Sequence, residues 1–157
     1  MTLFQKISLV LFRLAMGWMF LYAGVTHLLN PKFSAAGYLA SAKTLPIFFH
    51  WLASPDILPT VNFINIWGLT LLGVSLILGV CVRLSSALGV LLMILYWLPL
   101  GMLHPDAHSL IVDDHIIYAT GLLALLTMNA GQTWGLDSWF TKLPFLRKHD
   151  FLHSFFE

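Results

Sequence analysis

Four long apolar stretches run along the chain, each close to the roughly 20 residues that a helix needs to cross a bilayer. They lie at residues 7–29, 61–80, 84–103 and 110–130. Pro31 closes the first stretch, Pro59 precedes the second, and Pro99 removes a backbone donor near the end of the third. The pattern predicts an all-α fold, an integral membrane four-helix bundle that forms one domain over residues 1–157.

Two further segments mix aromatic and polar residues. Residues 31–60 are too polar and too often interrupted by proline to span a membrane, yet they carry large apolar side chains: Phe33, Tyr38, Leu39, Phe48, Phe49, Trp51 and Leu52. The tail after Gly131 combines tryptophan and phenylalanine with lysine and arginine. Because aromatic rings favour the depth of the lipid headgroups, we expect both to be interfacial segments, one on each face of the membrane.

Composition also indicates a membrane protein. Hydrophobic residues make up 59% of the chain and charged residues 10%, against about 25% charged residues in soluble domains. The net charge of +1 offers no basic surface for nucleic acid. The single cysteine, Cys81, excludes an intramolecular disulfide, and we interpret it as a small apolar helix residue.

The lysines and arginines predict an orientation. With the N-terminus inside, the inner face holds Lys6, Arg83, Lys142, Arg147 and Lys148, and the outer face holds Lys32 and Lys43. Cytoplasmic loops carry an excess of these residues, so we expect both termini to be cytoplasmic. The first apolar run continues through Leu29, which is longer than the roughly 7–15 apolar residues of a signal peptide, and this predicts a retained helix.

Small and polar residues recur at helical spacing in every predicted helix. The first helix carries Arg13, Gly17, Phe20, Gly24 and His27; the others carry Asn65, Gly68, Leu72, Ser75 and Gly79, then Ser86, Gly89, Met93 and Tyr96, then Asp114, Tyr118 and Gly121. Intervals of three and four place each set on one helix face. Since polar groups are costly in lipid, we expect these stripes to enclose a common centre. Alternatively, they are only packing surfaces with interhelical hydrogen bonds.

The predicted depth of the polar residues gives a candidate site. The outer half or its rim would hold His27, Asn62, Asn65, Tyr96, Trp97, His104, Asp113, Asp114 and His115. An imidazole beside carboxylates can exchange protons near neutral pH, which makes His115, Asp113 and Asp114 candidate catalytic residues. His27 is a fourth candidate. The competing interpretations are helix capping by Asp113 or Asp114 and simple packing of His27.

Candidate cofactor-binding residues are Asn65, Trp67, Tyr96, Tyr118 and Arg13. An amide and phenols beside proton-exchanging groups suit a quinone headgroup or another small redox ligand. Arg13 has three interpretations: snorkelling to the cytoplasmic headgroups, a pair with Asp137, or a site for an anion. His27 and His115 on facing helices are also a candidate pair of ligands for haem or a metal, although no motif supports that reading.

Several motifs keep a fixed order along the chain: residues 13–24 with 27–31, residues 65–68 with 72–73 and 78–79, Arg83, residues 114–119, and residues 130–131 with 135–137. In order and spacing they resemble the DoxX/DoxD family of bacterial and archaeal membrane proteins, which includes the small membrane subunit of thiosulfate:quinone oxidoreductase. Many relatives carry a glutamate in the second helix, where this chain has Trp67 and Gly68, and a lysine where it has His27.

The resemblance implies a four-helix protein of a prokaryotic plasma membrane that is tied to electron transfer into the quinone pool. The first hypothesis is a membrane oxidoreductase component that passes electrons from a small donor, such as a sulfur compound, to quinone. The second is a non-catalytic membrane anchor or assembly subunit for a partner protein. A third, a small transporter, would be favoured by an inverted repeat, and the sequence shows none. The expected partners are the bilayer, a small-molecule substrate, and a partner subunit or a second copy.

Overall fold

The computed structural model describes residues 1–101 and 112–142, and this part of the chain contains helices and no strand. In chain order the α-helices are α1 (Leu3–Leu29), α2 (Ala36–Ala40), α3 (Pro46–Leu52), α4 (Leu58–Leu78), α5 (Val82–Trp97), α6 (Asp114–Thr127) and α7 (Asp137–Phe140). Short 3-10 turns at Leu98–Leu100 and Ala130–Gln132 follow α5 and α6. The predicted all-α class is confirmed.

Within residues 1–101 and 112–142, three helical segments are long and apolar enough to cross a membrane: Leu3–Leu29, Leu58–Leu78 and Val82–Leu100. Helix α6 has 14 residues, so it is about 21 Å long, short of the roughly 30 Å of hydrocarbon. Its predicted start at residue 110 lies outside the described residues. The helical membrane-protein class is confirmed, whereas the count of four spanning helices stays a prediction.

Helix α1 begins at Leu3, earlier than the predicted start at Ile7. The Thr2 hydroxyl accepts from the Gln5 backbone N–H at 3.3 Å, and the Gln5 side chain accepts from the Thr2 backbone N–H at 2.7 Å. This reciprocal pair satisfies donors that the first turn of a helix leaves open. Hydropathy alone misses such a start because both capping residues are polar.

Helices α4 and α5 are joined by a tight turn that makes them antiparallel neighbours. Helix α4 is capped by Gly79, whose φ of +69° is a left-handed conformation that glycine adopts without strain. Cys81 is also left-handed, with φ of 50°, and α5 starts at the next residue. Cys81 is therefore a turn residue just before the helix and not, as predicted, a residue within one.

The four longest helices pack as two close pairs, α1 with α4 and α5 with α6. Glycine makes the first pair possible: a Cβ added to Gly24 would lie 2.6 Å from the Thr70 backbone nitrogen, and one added to Gly73 would lie 2.3 Å from that of Leu21. Lipid is as apolar as the side chains, so helices associate through such close contacts. The outward faces are apolar and exposed, as lipid requires, and include Leu11, Trp18, Tyr22, Phe63, Leu71, Leu88 and Leu91.

The predicted stripes coincide with much of the buried interior. Their buried members are Arg13, Gly17, Phe20, Gly24, Asn65, Leu72, Gly79, Ser86, Gly89 and Met93. Helix α6 differs, because its buried face is formed by Ala119, Leu122 and Leu125 while Asp114 is exposed. Asp114 stands in the first turn of α6, where a carboxylate is favoured beside the helix N-terminus and need not be buried.

The loop that carries α2 and α3 covers one end of the bundle, which we call the Asn65 end; the opposite end is the Arg13 end. The Ala35 backbone N–H donates to Asn62 Oδ1 at 2.9 Å. The Lys43 backbone N–H donates to the Pro99 carbonyl, also at 2.9 Å. Phe49 is 1% exposed beneath this loop, so the loop is packed onto the helices. Its predicted position in the membrane interface stays a prediction.

Candidate functional site

Asn65 and Tyr96 form a polar pair beneath the α2–α3 loop. Asn65 is 9% exposed on α4, and its Nδ2 donates to the Tyr96 hydroxyl on α5 at 2.5 Å. The Tyr96 backbone carbonyl in turn accepts from the Tyr38 hydroxyl of α2. Burial, together with the negative charge of Asp113, raises the pKa of Tyr38 to about 12. The Tyr38 hydroxyl therefore keeps its proton and its role as donor at physiological pH.

A cavity of about 270 Å³, the Asn65 cavity, adjoins this pair between the loop helices and helices α4 and α5. Its polar lining is Tyr38, Asn65 and Tyr96, and the rest of its wall is apolar, including Leu39, Phe48, Phe49, Leu52, Val61 and Ile64. Asn65 Oδ1 is buried and has no hydrogen-bond partner among the described residues.

The unpaired end of the Asn65 amide persists whichever way the amide is turned. The Tyr96 hydroxyl can accept from the amide NH₂ or donate to the amide oxygen, so in each orientation the opposite end is left open. Buried polar atoms without a partner are rare in proteins. One that borders an apolar cavity is a hydrogen-bonding group available to a ligand.

His115 and Asp113 meet where α6 begins. His115 Nδ1 lies 2.6 Å from Asp113 Oδ2, while the other carboxylate oxygen accepts from the Ile116 backbone N–H at 3.1 Å. The geometry thus accommodates both predicted roles of Asp113, the helix cap and the partner of the imidazole, through separate oxygens. The imidazole packs edge-on against the Tyr96 ring with centroids 5.7 Å apart. With its side chain 28% exposed, His115 touches a wall residue of the Asn65 cavity and remains accessible from outside.

His27 has other neighbours. Its ring stacks on Phe33 with centroids 4.0 Å apart and planes 19° apart. Its Nδ1 is buried without a hydrogen-bond partner among the described residues. The contacts of residues 1–101 and 112–142 thus put His27 beside Phe33 and His115 beside Tyr96, so no described contact joins the two imidazoles. Their joint ligation of haem stays a prediction.

Three more predicted site residues do not line the Asn65 cavity. Trp67 is 40% exposed and lies beside Phe63, with ring centroids 6.2 Å apart. Tyr118 packs edge-on against Phe20 in the interior, with centroids also 6.2 Å apart. Asp114 is exposed in the first turn of α6. Their roles in binding or catalysis stay predictions, and His104, at the rim of the predicted outer half, lies outside the described residues.

Arg13 belongs to a second polar cluster, at the opposite end of the bundle. It is 2% exposed and donates to the carbonyls of Ala130 at 2.6 Å, Thr133 at 3.0 Å and Trp134 at 3.5 Å. Of its predicted roles, snorkelling to the headgroups does not describe this geometry. The guanidinium instead fixes the backbone that follows α6, and Asp137 lies close enough for the two charges to attract.

Asp137 caps α5 from this same segment. Its two carboxylate oxygens accept from the backbone N–H groups of Cys81 at 2.7 Å and Val82 at 3.1 Å. A Cβ on Gly131 would lie 2.0 Å from Asp137 Oδ2, so only glycine admits the carboxylate there. Burial raises the pKa of Asp137, and the two N–H donors and Arg13 oppose that rise. We call Arg13, its three carbonyl acceptors and Asp137 the Arg13 node.

The sequence placed Tyr38 and Phe49 only among interfacial aromatics, whereas the structure puts both in the wall of the Asn65 cavity. Hydropathy cannot separate the two faces of α3, because the 87% exposed Ile47 and the 1% exposed Phe49 are both apolar. The buried face of so short a helix is set by the helices beneath it, which a local pattern does not contain.

Comparison with protein families matches the chain to the DoxX model over residues 8–102. The match includes the helices that carry Arg13, His27, Asn65 and Tyr96, and it stops before His115 and the segment that binds Arg13. Comparisons with curated proteins and with solved structures find no significant match. Because the family match takes in more than half of the 157 residues, the chain belongs to the DoxX family.

Proposed function

We propose that this protein is a component of a membrane oxidoreductase that passes electrons from a small donor, such as a reduced sulfur compound, to the quinone pool. In this proposal the quinone headgroup binds in the Asn65 cavity. The observation that carries the proposal is the buried Asn65 amide, which borders an apolar cavity of about 270 Å³ and keeps one end unpaired.

The residues present fit a quinone headgroup. A quinone ring needs apolar walls and a hydrogen-bond donor for a carbonyl oxygen, and small-ligand pockets typically combine mostly apolar walls with a few polar groups. With its oxygen turned to accept from the Tyr96 hydroxyl, the Asn65 amide would donate its NH₂ to a quinone carbonyl, and Phe49 and Leu52 supply apolar surface. A bound quinone accepts two electrons and two protons when it is reduced to the quinol.

The proton route in this proposal begins at His115. A histidine held by a carboxylate suits proton exchange at neutral pH, and His115 is held by Asp113 at 2.6 Å. It touches Tyr96, whose hydroxyl is bonded to Asn65. This chain of contacts leads from an accessible imidazole to the polar wall of the cavity.

The proposed orientation places both termini in the cytoplasm of a prokaryotic cell and the Asn65 end toward the outside. Lys6 and Arg83 lie at the Arg13 end, near the start of α1 and in the first turn of α5, whereas Lys32 and Lys43 belong to the loop at the Asn65 end. The excess of positive residues on cytoplasmic loops favours this orientation. The donor would then be handled at the outer face.

Quinone binding tests the headgroup site. Replacing Asn65→Leu in proteoliposomes removes the amide at similar volume, and we expect the affinity for quinone to fall about tenfold, because a buried carbonyl loses its donor. Thr120→Val, which changes a polar residue on the exposed face of α6, is the control and should bind like the wild type. If Asn65→Leu and the wild type bind quinone with equal affinity, the headgroup does not bind in this cavity.

Turnover tests the proton route. With thiosulfate as donor, we expect His115→Ala to lower quinone reduction about a hundredfold, a usual contribution of a proton-transferring side chain, and to leave quinone binding intact. His50→Ala is the matched control, since His50 is exposed and bonds to the Ala40 carbonyl outside the cavity lining. Unchanged turnover in His115→Ala would take His115 out of the mechanism.

Two alternatives are separated by purification. Trp134, Leu136 and Trp139 are exposed apolar residues near the Arg13 end, and they favour a role as a non-catalytic anchor for a partner protein. A purified chain without quinone affinity and with a stoichiometric partner would establish that role. A Soret band in the absorption spectrum would instead assign haem, with His27 and His115 as the first ligands to replace.

A further inference from the structure

A second apolar space, the α4–α5 groove, lies beside the Asn65 cavity between helices α4 and α5. Its volume is about 320 Å³. Ile64, Leu92 and Leu95 border both spaces, so the two lie side by side. Along α5 the groove extends from Leu95 to Ser85, a distance of about 15 Å at the rise of an α-helix. That is about half the thickness of the hydrocarbon core.

The groove is open to the surrounding lipid. Leu71 on α4 is 60% exposed, and Leu88 and Leu91 on α5 are 58% and 55% exposed. The hydroxyl of Ser85, a polar group in the wall, is already hydrogen-bonded to Ser75 Oγ at 2.5 Å. A molecule in the groove therefore contacts an apolar surface and needs no hydrogen-bonding group of its own.

Gly68 gives the groove its width. A Cβ on Gly68 would have no described atom within 4 Å, whereas a Cβ on Gly73 of the same helix would lie 2.3 Å from the Leu21 backbone nitrogen. Gly73 is thus required for packing against α1. Gly68 is not required for such a contact, and because it has no side chain the groove is wider at this position.

We propose that the α4–α5 groove holds the isoprenoid tail of the quinone whose headgroup occupies the Asn65 cavity, an inference that rests on the proposed function. The substrates are then lipid-soluble prenyl quinones, which enter sideways from the bilayer between α4 and α5. Because the two spaces share three wall residues, a molecule that occupies both has its polar end at Asn65 and its apolar chain along Gly68, in the order that a prenyl quinone requires.

The groove acts by admitting the tail rather than by attracting it. A tail that leaves lipid for an apolar groove gains little, because lipid chains are as apolar as the leucines that line it. When a larger side chain fills the groove, however, the tail of a prenyl quinone has no space while the quinone headgroup occupies the Asn65 cavity. Filling the groove should therefore exclude tailed quinones and spare the headgroup alone.

The test compares two quinones that share a headgroup, one with a long prenyl tail and one with a methyl group in its place. Equilibrium binding is measured in proteoliposomes for the wild type and for Gly68→Leu, whose side chain fills the groove. Leu88→Trp fills the groove from α5 and serves if the first variant does not fold. Val74→Leu enlarges an exposed side chain of α4 that does not line the groove, and it is the control.

We expect Gly68→Leu to weaken binding of the tailed quinone about tenfold or more, as overfilled space does, and to change binding of the tail-less quinone less than about twofold, as expected where no packing is altered. If Gly68→Leu binds both quinones more weakly to the same extent, or binds both as tightly as the wild type does, the tail assignment is wrong. The headgroup site is then judged by the Asn65→Leu experiment alone. Failure of the wild type to bind either probe would instead overturn the proposed function itself.

Discussion

The two buried charged residues among those described, Arg13 and Asp137, form their hydrogen bonds with backbone groups. Arg13 donates to three carbonyls, and Asp137 accepts from two backbone N–H groups at the start of α5. In a bundle surrounded by lipid, a charge or a backbone group left without a partner costs several kcal/mol. Asn65 differs because its unpaired amide end borders a cavity. The first arrangement stabilises the fold, and the second leaves a place for a ligand.

Asp137→Asn should destabilise the protein by about 1–3 kcal/mol, the cost of leaving a buried donor without an acceptor. The amide NH₂ of asparagine would face the backbone N–H of either Cys81 or Val82, and two donors cannot bond to each other. Unfolding by denaturing detergent, followed by circular dichroism, measures the change. The exposed Asp56 supplies the control Asp56→Asn, and equal stability of the two variants would contradict the capping role.

Tyr38 makes stability depend on pH at the alkaline end. Its pKa of about 12 in the folded protein lies above the ordinary value of about 10, so the folded state holds the proton more tightly than the unfolded chain. This contribution is complete below about pH 10 and is lost as the pH rises to about 12. In thermal unfolding Tyr38→Phe should therefore lose less stability over this pH range than Tyr22→Phe, which changes an exposed tyrosine.

Helix α4 shows that glycine can have two different roles within one helix. Gly73 lies against the α1 backbone, whereas Gly68 borders open space. Both stand in an apolar helix with no local difference that separates them. Their roles follow from the neighbours that the fold supplies.

An alanine at each glycine should therefore change stability in opposite directions. Gly68→Ala should stabilise by about 0.5–1 kcal/mol, because alanine loses less backbone entropy in a helix. Gly73→Ala should destabilise by about 1–3 kcal/mol, because the added Cβ would press on Leu21 and separate α1 from α4. Detergent unfolding of both variants measures the difference, and a loss of stability in Gly68→Ala would show that its surroundings are closed.

The sequence predicts the long helices and their inner faces well, because lipid imposes a single rule on every span. Arg13, Gly17, Phe20 and Gly24 are buried as their spacing predicts. The sequence predicts less of the candidate site than of the helices. Asn65, Tyr96 and His115 were candidates on chemical grounds, but Tyr38 and the cavity depend on how a loop packs onto α4 and α5. Such contacts between distant segments leave no periodic pattern in the chain.

At the scale of the whole molecule, orientation decides which compartment meets the Asn65 end. Cys81, the single cysteine, lies in the α4–α5 turn at the Arg13 end. Its labelling therefore shows which compartment that end faces. An impermeant maleimide should label Cys81 in inverted vesicles and not in right-side-out vesicles. Burial, aided by Asp137, raises the pKa of the Cys81 thiol, so labelling should be slow at neutral pH and faster at higher pH.

Lys43→Cys in a Cys81→Ser background provides the reverse reporter. Lys43 is exposed in the loop at the Asn65 end, so this variant should be labelled in right-side-out vesicles. Labelling of Cys81 from the outside would reverse the proposed orientation and move the cavity to the cytoplasmic face.

The hydrogen bond from Arg13 to Ala130 spans 117 positions of the chain. During synthesis the first helix therefore reaches the translocon with its guanidinium unsatisfied, and the acceptors at residues 130–134 emerge only after helices α4, α5 and α6 have been made. A fragment that stops before Ala130 would leave a charge without these acceptors in lipid. The contact can therefore form only in a chain that already contains all four of these helices.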